Sequence, residues 1–361
     1  MFAAPQRSGG PLRADPVAIE TGINEVLAAY SAGDDRAVES WLRTPEAGVS
    51  LSSIERVIAD RAAPWTRARA AFLLEVAVGT MALRPAEIAV RDFAMGLMLT
   101  RRSDSLLLVG GQLVAGRPTP FGANPDEDRF EVLWHHAALG VAQGMEQYAL
   151  QQRYLAVAGP RLEQARSGGT AVSSRLPLAR AIAAAGLCCW SRTAGETIQF
   201  RSMNAPPVAP VTADTAVDLF TRAAAVPALH VEAMIRGAVL LSRIGREPEA
   251  LAWFERVPPH TDRGLGYVHH ITLARLLDAV NRPADAAAAY SVALDHAPDN
   301  QRAAIGLAAA LLRAGREEDA GRAGANARRL PEERSDQLRA YQRADARFVR
   351  EWLEEIRRLR R

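Results

Sequence analysis

Two pairs of adjacent histidines, His135–His136 and His269–His270, are the first side chains in this sequence that suggest chemistry. Imidazoles bind transition metals, and a helix brings two of them to one ion when they lie three or four residues apart. Adjacent helical residues point about 100° apart, so neither pair can hold a metal without ligands from elsewhere. His270 also stands at a position that packs against a neighbouring helix in the repeat described below. The sequence therefore predicts packing histidines and no metal site.

The other reactive groups lack the spacing that catalysis requires. Cys188 and Cys189 are neighbours on a predicted helix and point in different directions, which is a poor geometry for a disulfide. The acidic run "NPDED" at 124–128 lacks the alternating oxygen ligands of a calcium loop, and it is interpreted as a helix start. The short motifs of zinc proteases, serine hydrolases, phosphate loops and dinucleotide sites are also missing. We expect no catalytic residues, no metal and no cofactor.

The composition argues against nucleic-acid and membrane partners. The chain has 361 residues and a formal charge of +3, and all 44 of its basic residues are arginines. These arginines alternate with acids along most of the chain, whereas nucleic-acid binding needs a concentrated basic stripe. No run of about 18 or more apolar residues is present, so the sequence predicts no membrane-spanning helix.

Residues 1–15 are predicted to be a disordered leader, because they lack the charged and apolar regions of a signal peptide. As the chain stands, this predicts a cytoplasmic protein. The stretch "FAAPQR" at 2–7 nevertheless resembles the small-residue end of a signal peptide. Export therefore stays open as an alternative if the true start lies upstream of Met1.

A stripe of small and large residues recurs along the second half of the chain. In "PADAAAAYSVALDHAP" the residues Ala286, Tyr290 and Ala293 stand at i, i+4 and i+7, which is one face of a helix. The stripe occurs four times, and its leading alanines lie 34, 36 and 34 residues apart. They are Ala216, Ala250, Ala286 and Ala320.

A turn former stands five residues before three of these alanines, namely Gly245, Asn281 and Gly315. Glycine and asparagine end helices readily because they adopt the left-handed conformation at low cost. Each unit is therefore predicted to be a helix, a short turn and a second helix. A period of about 34 residues with this punctuation resembles the tetratricopeptide repeat (TPR) family, from about residue 212 to 334.

The resemblance implies an all-α fold, a right-handed superhelical solenoid of helix-turn-helix repeats. The predicted organisation is a leader at 1–15, degenerate helical-hairpin repeats at 16–165, a helix plus a long insertion loop at 166–211, TPR-like repeats at 212–334, and a C-terminal helix at 335–361 that caps the stack. The insertion at 192–211 is either a tolerated surface loop or a functional one.

The resemblance also implies a concave groove, lined by the first helix of each repeat, that binds a peptide or helix. The family's groove positions fall on Arg236, Val239, Arg243, Ile271, Arg275, Arg302, Ile305 and Arg313. Arginines interleaved with aliphatic residues suit a protein partner with acidic groups and apolar anchors. The alternative is a solvated face whose arginines pair with nearby acids.

These observations predict a non-catalytic scaffold for protein–protein interactions. Two alternatives stay open. One is a regulatory or assembly subunit of a cell-envelope or enzyme complex. The other is an enzyme whose site is built from the less regular N-terminal half and the 192–211 insertion.

Overall fold

The computed structural model describes residues 16–44, 66–83, 106–109, 112–115, 124–144, 146, 148–167, 175–190, 210–330, 341 and 344–361. The first half contains α1 (Pro16–Ala32), α2 (Ala37–Leu42), α3 (Arg67–Leu83), β1 (Leu106–Val109), β2 (Gln112–Ala115), α4 (Pro125–Gly144), α5 (Tyr148–Ser167) and α6 (Leu176–Ala185). The second half contains α7 (Ala213–Ala224), α8 (His230–Arg243), α9 (Glu247–Glu255), α10 (Arg263–Ala279), α11 (Pro283–His296), α12 (Gln301–Arg313), α13 (Glu317–Arg329) and α14 (Val349–Leu359). Short 3-10 turns at Pro227–Leu229 and Ala344–Phe348 precede α8 and α14.

Helices α7 to α13 pack as stacked pairs, each helix against the next in the chain. The three predicted turn formers all have positive φ angles, from 57° at Asn281 to 78° at Gly245. After α8, the Arg246 N–H donates to the Leu241 carbonyl at 2.9 Å and the Gly245 N–H donates to the Ser242 carbonyl at 3.4 Å. The same two bonds end α10 and α12, and this pattern satisfies carbonyls that a helix end leaves unpaired. The predicted pairing of helices is therefore confirmed.

The repeated stripe forms the contacts between these helices. Ala286 and Ala293 are fully buried, and the Tyr290 ring between them is buried as well, with an exposed fraction of 6%. A Cβ atom on Gly306 of α12 would overlap the Tyr290 ring, so the ring occupies the space that glycine leaves. The large side chain of one helix thus fits over a small residue of its neighbour, which is how close-packed interiors avoid voids.

Side chains also explain where the helices begin. Thr212, Asp262 and Asn300 each accept a hydrogen bond from the N–H three residues further on, at 3.1, 2.9 and 2.8 Å. Asn124 serves the predicted start of α4 in a similar way, where its Oδ1 accepts from the Asp126 N–H at 3.2 Å.

Helices α1 to α6 share a second apolar core. Tyr30 of α1 donates to Glu75 of α3 at 3.1 Å, and the Trp134 indole N–H of α4 donates to the Ala70 carbonyl at 2.8 Å. Within the described residues no single helix is long and apolar enough to cross a membrane. One pair of consecutive helices, α7 and Pro227–Arg243, would be long and apolar enough together, but the two are bent by 116° relative to each other.

Two local features differ from the sequence predictions. Strands β1 and β2 pair antiparallel, with Leu106 opposite Ala115, so the described part of the chain contains a short non-helical element beside the helices. Cys188 and Cys189 form a disulfide, although the sequence predicted that adjacent helical cysteines would not. They lie in a π-helical turn, Gly186–Trp190, that continues α6, so the regular α-helical geometry assumed in the prediction does not apply there.

The C-terminal helix packs somewhere other than predicted. Helix α14 contacts α3 and α4 of the N-terminal half, so it does not lie as a cap on the end of the repeats. Its buried residues Trp352, Leu353 and Ile356 join the N-terminal core, and Arg357 donates to Glu75 at 2.8 Å. The physical reason is that the apolar face of α14 completes a core that α3 and α4 leave open on this side. The leader at 1–15, most of the 192–211 insertion and the predicted start of the C-terminal helix at 335 lie outside the described residues.

Candidate functional site

The predicted groove residues lie on the first helices of the repeats, α8, α10 and α12, but they do not form one continuous surface. They fall into two groups, which are an exposed set toward the C-terminal end of the repeats and a buried set. The exposed residues are Arg243, Arg275, Arg302, Ile305 and Arg313, whereas Arg236 and Ile271 are buried and Val239 is half-buried.

We call the exposed residues of α10 and α12 the inner-face patch, made of Arg275, Arg302, Ile305, Leu312 and Arg313. Ile305 and Leu312 are 55% and 59% exposed. They stand seven residues apart and therefore on one face of α12. Arg313 reaches back to α10, where its Nη2 contacts the Asp278 carboxylate at 2.5 Å. The patch therefore combines two apolar side chains with a surround of arginines.

Arg236 is not available on this surface. It is 2% exposed, its Nη2 donates to the Tyr341 carbonyl at 2.8 Å, and its guanidinium carbon lies 3.9 Å from the centre of the Tyr341 ring. The prediction that Arg236 contacts a partner is therefore wrong for this structure. The physical reason is that Tyr341, which follows the repeats in the chain, covers the guanidinium.

Arg236 belongs to a buried ion network centred on Glu232. The Glu232 carboxylate contacts Arg236 at 2.9 Å, Arg175 at 3.0 Å and Arg347 at 2.7 Å. Arg175 also contacts Asp345 at 2.6 Å. Burial favours the neutral acid, but the three guanidinium charges outweigh it and hold the pKa of Glu232 well below its usual range. The network joins α6, α8 and the C-terminal segment.

Ile271 is also a core residue and not a groove residue. It is fully buried, together with Tyr267 and Ala274 on the same helix. These three stand at i, i+4 and i+7, the same stripe spacing that identified the second helices of the repeats. That spacing in α10 was a sequence signal that Ile271 faces inward, whereas Arg275 faces out.

The structure brings His260 and His296 to the pair His269–His270. The ring centres of His269 and His270 lie 4.4 Å apart, those of His270 and His296 5.6 Å, and those of His260 and His269 6.2 Å. Within the described ranges, no group of three or more histidine, cysteine or acidic residues is arranged to hold a metal ion. The four histidines pack as a stack between α9, α10 and α11, with Phe254 against His269.

We expect this stack to make the protein sensitive to acid. Burial, and then the charges of His270 and His260, lower the pKa of His269 to about 4 from 6.5. Because the folded pKa is depressed, the stability that the neutral ring contributes is complete above pH 6.5 and is lost as the pH falls toward 4. His269→Phe keeps a stacked ring but cannot be protonated. As the pH is lowered from 6.5 toward 4, we expect the unfolding free energy of this variant to fall less steeply than that of the unchanged protein, by up to about 1.4 kcal/mol per pH unit. Denaturant unfolding at pH 7.5, 6 and 5 measures this.

The second buried pair, His135–His136, is unchanged in the His269→Phe variant and serves as the internal control. Burial lowers the pKa of His135 to about 3 and that of His136 to about 4, so part of the acid sensitivity stays in the variant. A pH dependence in His269→Phe that equals that of the unchanged protein would contradict the assignment.

Comparison with known proteins adds a fold likeness only. No family model matches the chain, and no curated protein matches it. Among solved structures, a mutant of MamA is similar to this chain with 16% sequence identity and a TM-score of 0.33. The similarity covers 51% of this chain and 96% of the MamA chain. The protein contains paired, stacked helices and has an exposed inner-face patch.

Proposed function

We propose that the protein is a non-catalytic interaction scaffold that binds an acidic, partly apolar segment of a protein partner on the inner-face patch. The observation that carries the proposal is the exposure of Ile305 and Leu312 on one face of α12, together with the exposed Arg302 and Arg313 of the same helix and Arg275 of α10. Single exposed aliphatic residues are common and need no explanation. Two on the same helical face, surrounded by cations, match what an amphipathic partner helix with acidic flanks requires.

The arrangement of charge supports an acidic partner. Burial lowers the pKa of Arg243, and the charge of the nearby Arg275 also lowers it. Arg313 pairs with Asp278 near the end of α10. A carboxylate from a partner would find bidentate donors here, and the aliphatic side chains would be removed from water in the same contact.

Affinity capture from native lysate with matched variants tests the proposal. The double variants Ile305→Ser with Leu312→Ser, and Arg275→Glu with Arg313→Glu, change the apolar and the charged part of the patch separately. We expect each to lower the affinity for the captured partner at least about tenfold, because buried apolar area is lost or like charges are placed together.

Arg222→Glu with Arg328→Glu is the matched control, since these arginines are exposed on α7 and α13, the second helices of their repeats. Binding that both test variants lose and the control retains would support the patch. Equal capture by all four proteins would contradict it, provided that circular dichroism shows each variant to be folded.

A further inference from the structure

We infer that a small cavity beside α8 is a subsite for a carboxylate group, supplied by an acidic side chain of the protein partner. The inference deepens the proposed function and rests on it for the source of the carboxylate. The cavity has a volume of about 80 Å³ and is lined by Glu146, Tyr148, Trp190, Arg243 and Tyr341, together with Arg236 and Val239. Trp190 and Tyr341 come from outside the repeats, so this cavity is built by the π-helical turn and the C-terminal segment meeting α8.

Arg243 is the cation of this subsite. Within the described part of the chain it makes no ion pair, and its guanidinium carbon lies 5.7 Å from the centre of the Trp190 ring. Burial and the charge of Arg275 lower its pKa, and the nearby Tyr148 and Glu146 offset this only in part. Arg236, seven residues earlier on the same helix, has its charge compensated by Glu232. Arg243 therefore carries a positive charge that has no ion-pair partner among the described residues.

Two buried donors lie with it. The Trp190 Nε1–H and the Tyr341 hydroxyl are both buried and have no hydrogen-bond partner among the described residues. Tyr341 is 6% exposed, so water reaches it poorly. Both atoms are closed off from water, so a group in the cavity meets the rings of Trp190 and Tyr341 and not these two donors.

The space and its walls fit a carboxylate and the methylene group next to it. A volume of about 80 Å³ holds several groups the size of a water molecule. The planar guanidinium of Arg243 can present two N–H groups to two carboxylate oxygens, and the rings of Tyr148 and Trp190 offer an apolar surface to the methylene. Glu146 is the acid in the lining, and its exposed side chain can turn toward solvent when a second carboxylate enters.

Nuclear magnetic resonance of the indole N–H groups tests the subsite with acetate as the probe. The signal of Trp190 is assigned by its loss in Trp190→Phe. We expect acetate to shift this signal saturably, with a dissociation constant in the millimolar range because so few atoms make contact, and chloride and inorganic phosphate at equal ionic strength not to shift it. Arg243→Gln should weaken acetate binding at least tenfold, while Arg222→Gln leaves it unchanged.

Three results would overturn the inference: an equal shift with chloride or phosphate, an acetate affinity that Arg243→Gln does not change, or no shift. A dissociation constant for acetate in the micromolar range would contradict a partner as the source and would indicate a free small acid. The outcome is separate from that of the capture experiment. Loss of the acetate shift with capture still dependent on Ile305 and Leu312 would remove the subsite alone, whereas acetate binding with unaltered capture would remove the proposed function alone.

Discussion

Replacing Glu232 by glutamine is expected to lower the free energy of unfolding by about 3–5 kcal/mol, because it leaves buried guanidiniums without their counter-charge. Glu232 is 6% exposed and contacts Arg175, Arg236 and Arg347. Glutamine has nearly the same shape, so the loss reports charge and not packing. Denaturant unfolding at pH 7, followed by circular dichroism, measures the change.

The matched control is Glu249→Gln. Glu249 pairs with Arg246 at 2.5 Å, but both are on the surface, and surface pairs contribute little. We expect no measurable change there. The charge of Glu232 also has a pH signature. Its folded pKa is depressed, so its stabilisation is present above pH 4.5 and is lost as the pH falls below that value. A Glu232→Gln protein as stable as the unchanged one would show that the buried network is absent.

Removing residues 341–361 is expected to unfold helices α1 to α4 while α10 to α13 stay folded. The removed segment buries Val349, Trp352, Leu353 and Ile356 in the N-terminal core. Each such side chain contributes about 1.5–3 kcal/mol, and four of them together approach the roughly 5–15 kcal/mol that holds a whole domain folded. Helices α10 to α13 belong to a separate apolar core, and Tyr341 is the one residue of that core that the truncation removes.

Hydrogen exchange followed by mass spectrometry separates the two halves. We expect fast exchange in 125–144 and slow exchange in 263–313 of the shortened protein. Arg358→Ala is the control, because Arg358 is exposed on the same helix, and it should leave both halves protected. Slow exchange throughout the shortened protein would mean that α14 is not part of the N-terminal core.

The repeats were predictable from sequence because their determinants are local. The spacing of Ala286, Tyr290 and Ala293 sets a face that must be buried, and Asn281 sets the turn that brings it to the preceding helix. Both features recur at a fixed period, so neighbouring units must pack alike. The exposed positions Arg275 and Ile305 followed from the same register.

The remaining features depend on contacts between distant residues. The amphipathic pattern of α14 predicts that Trp352 and Ile356 are buried but does not say against which surface. Arg236 is covered through Tyr341, 105 residues away, and no local pattern reports such a contact. The disulfide between Cys188 and Cys189 depends on a π-helical turn that the sequence does not signal. The pairing of β1 and β2 is hard to predict because the strands are only four residues each.

Hydrogen exchange of the complex with the captured partner tests most directly the claim that the inner-face patch is the binding surface. We expect slower exchange in α10 and α12 on binding, and unchanged exchange in α11 and α13, which are the second helices of the same repeats. Protection confined to α11 and α13, or to the N-terminal half, would contradict it.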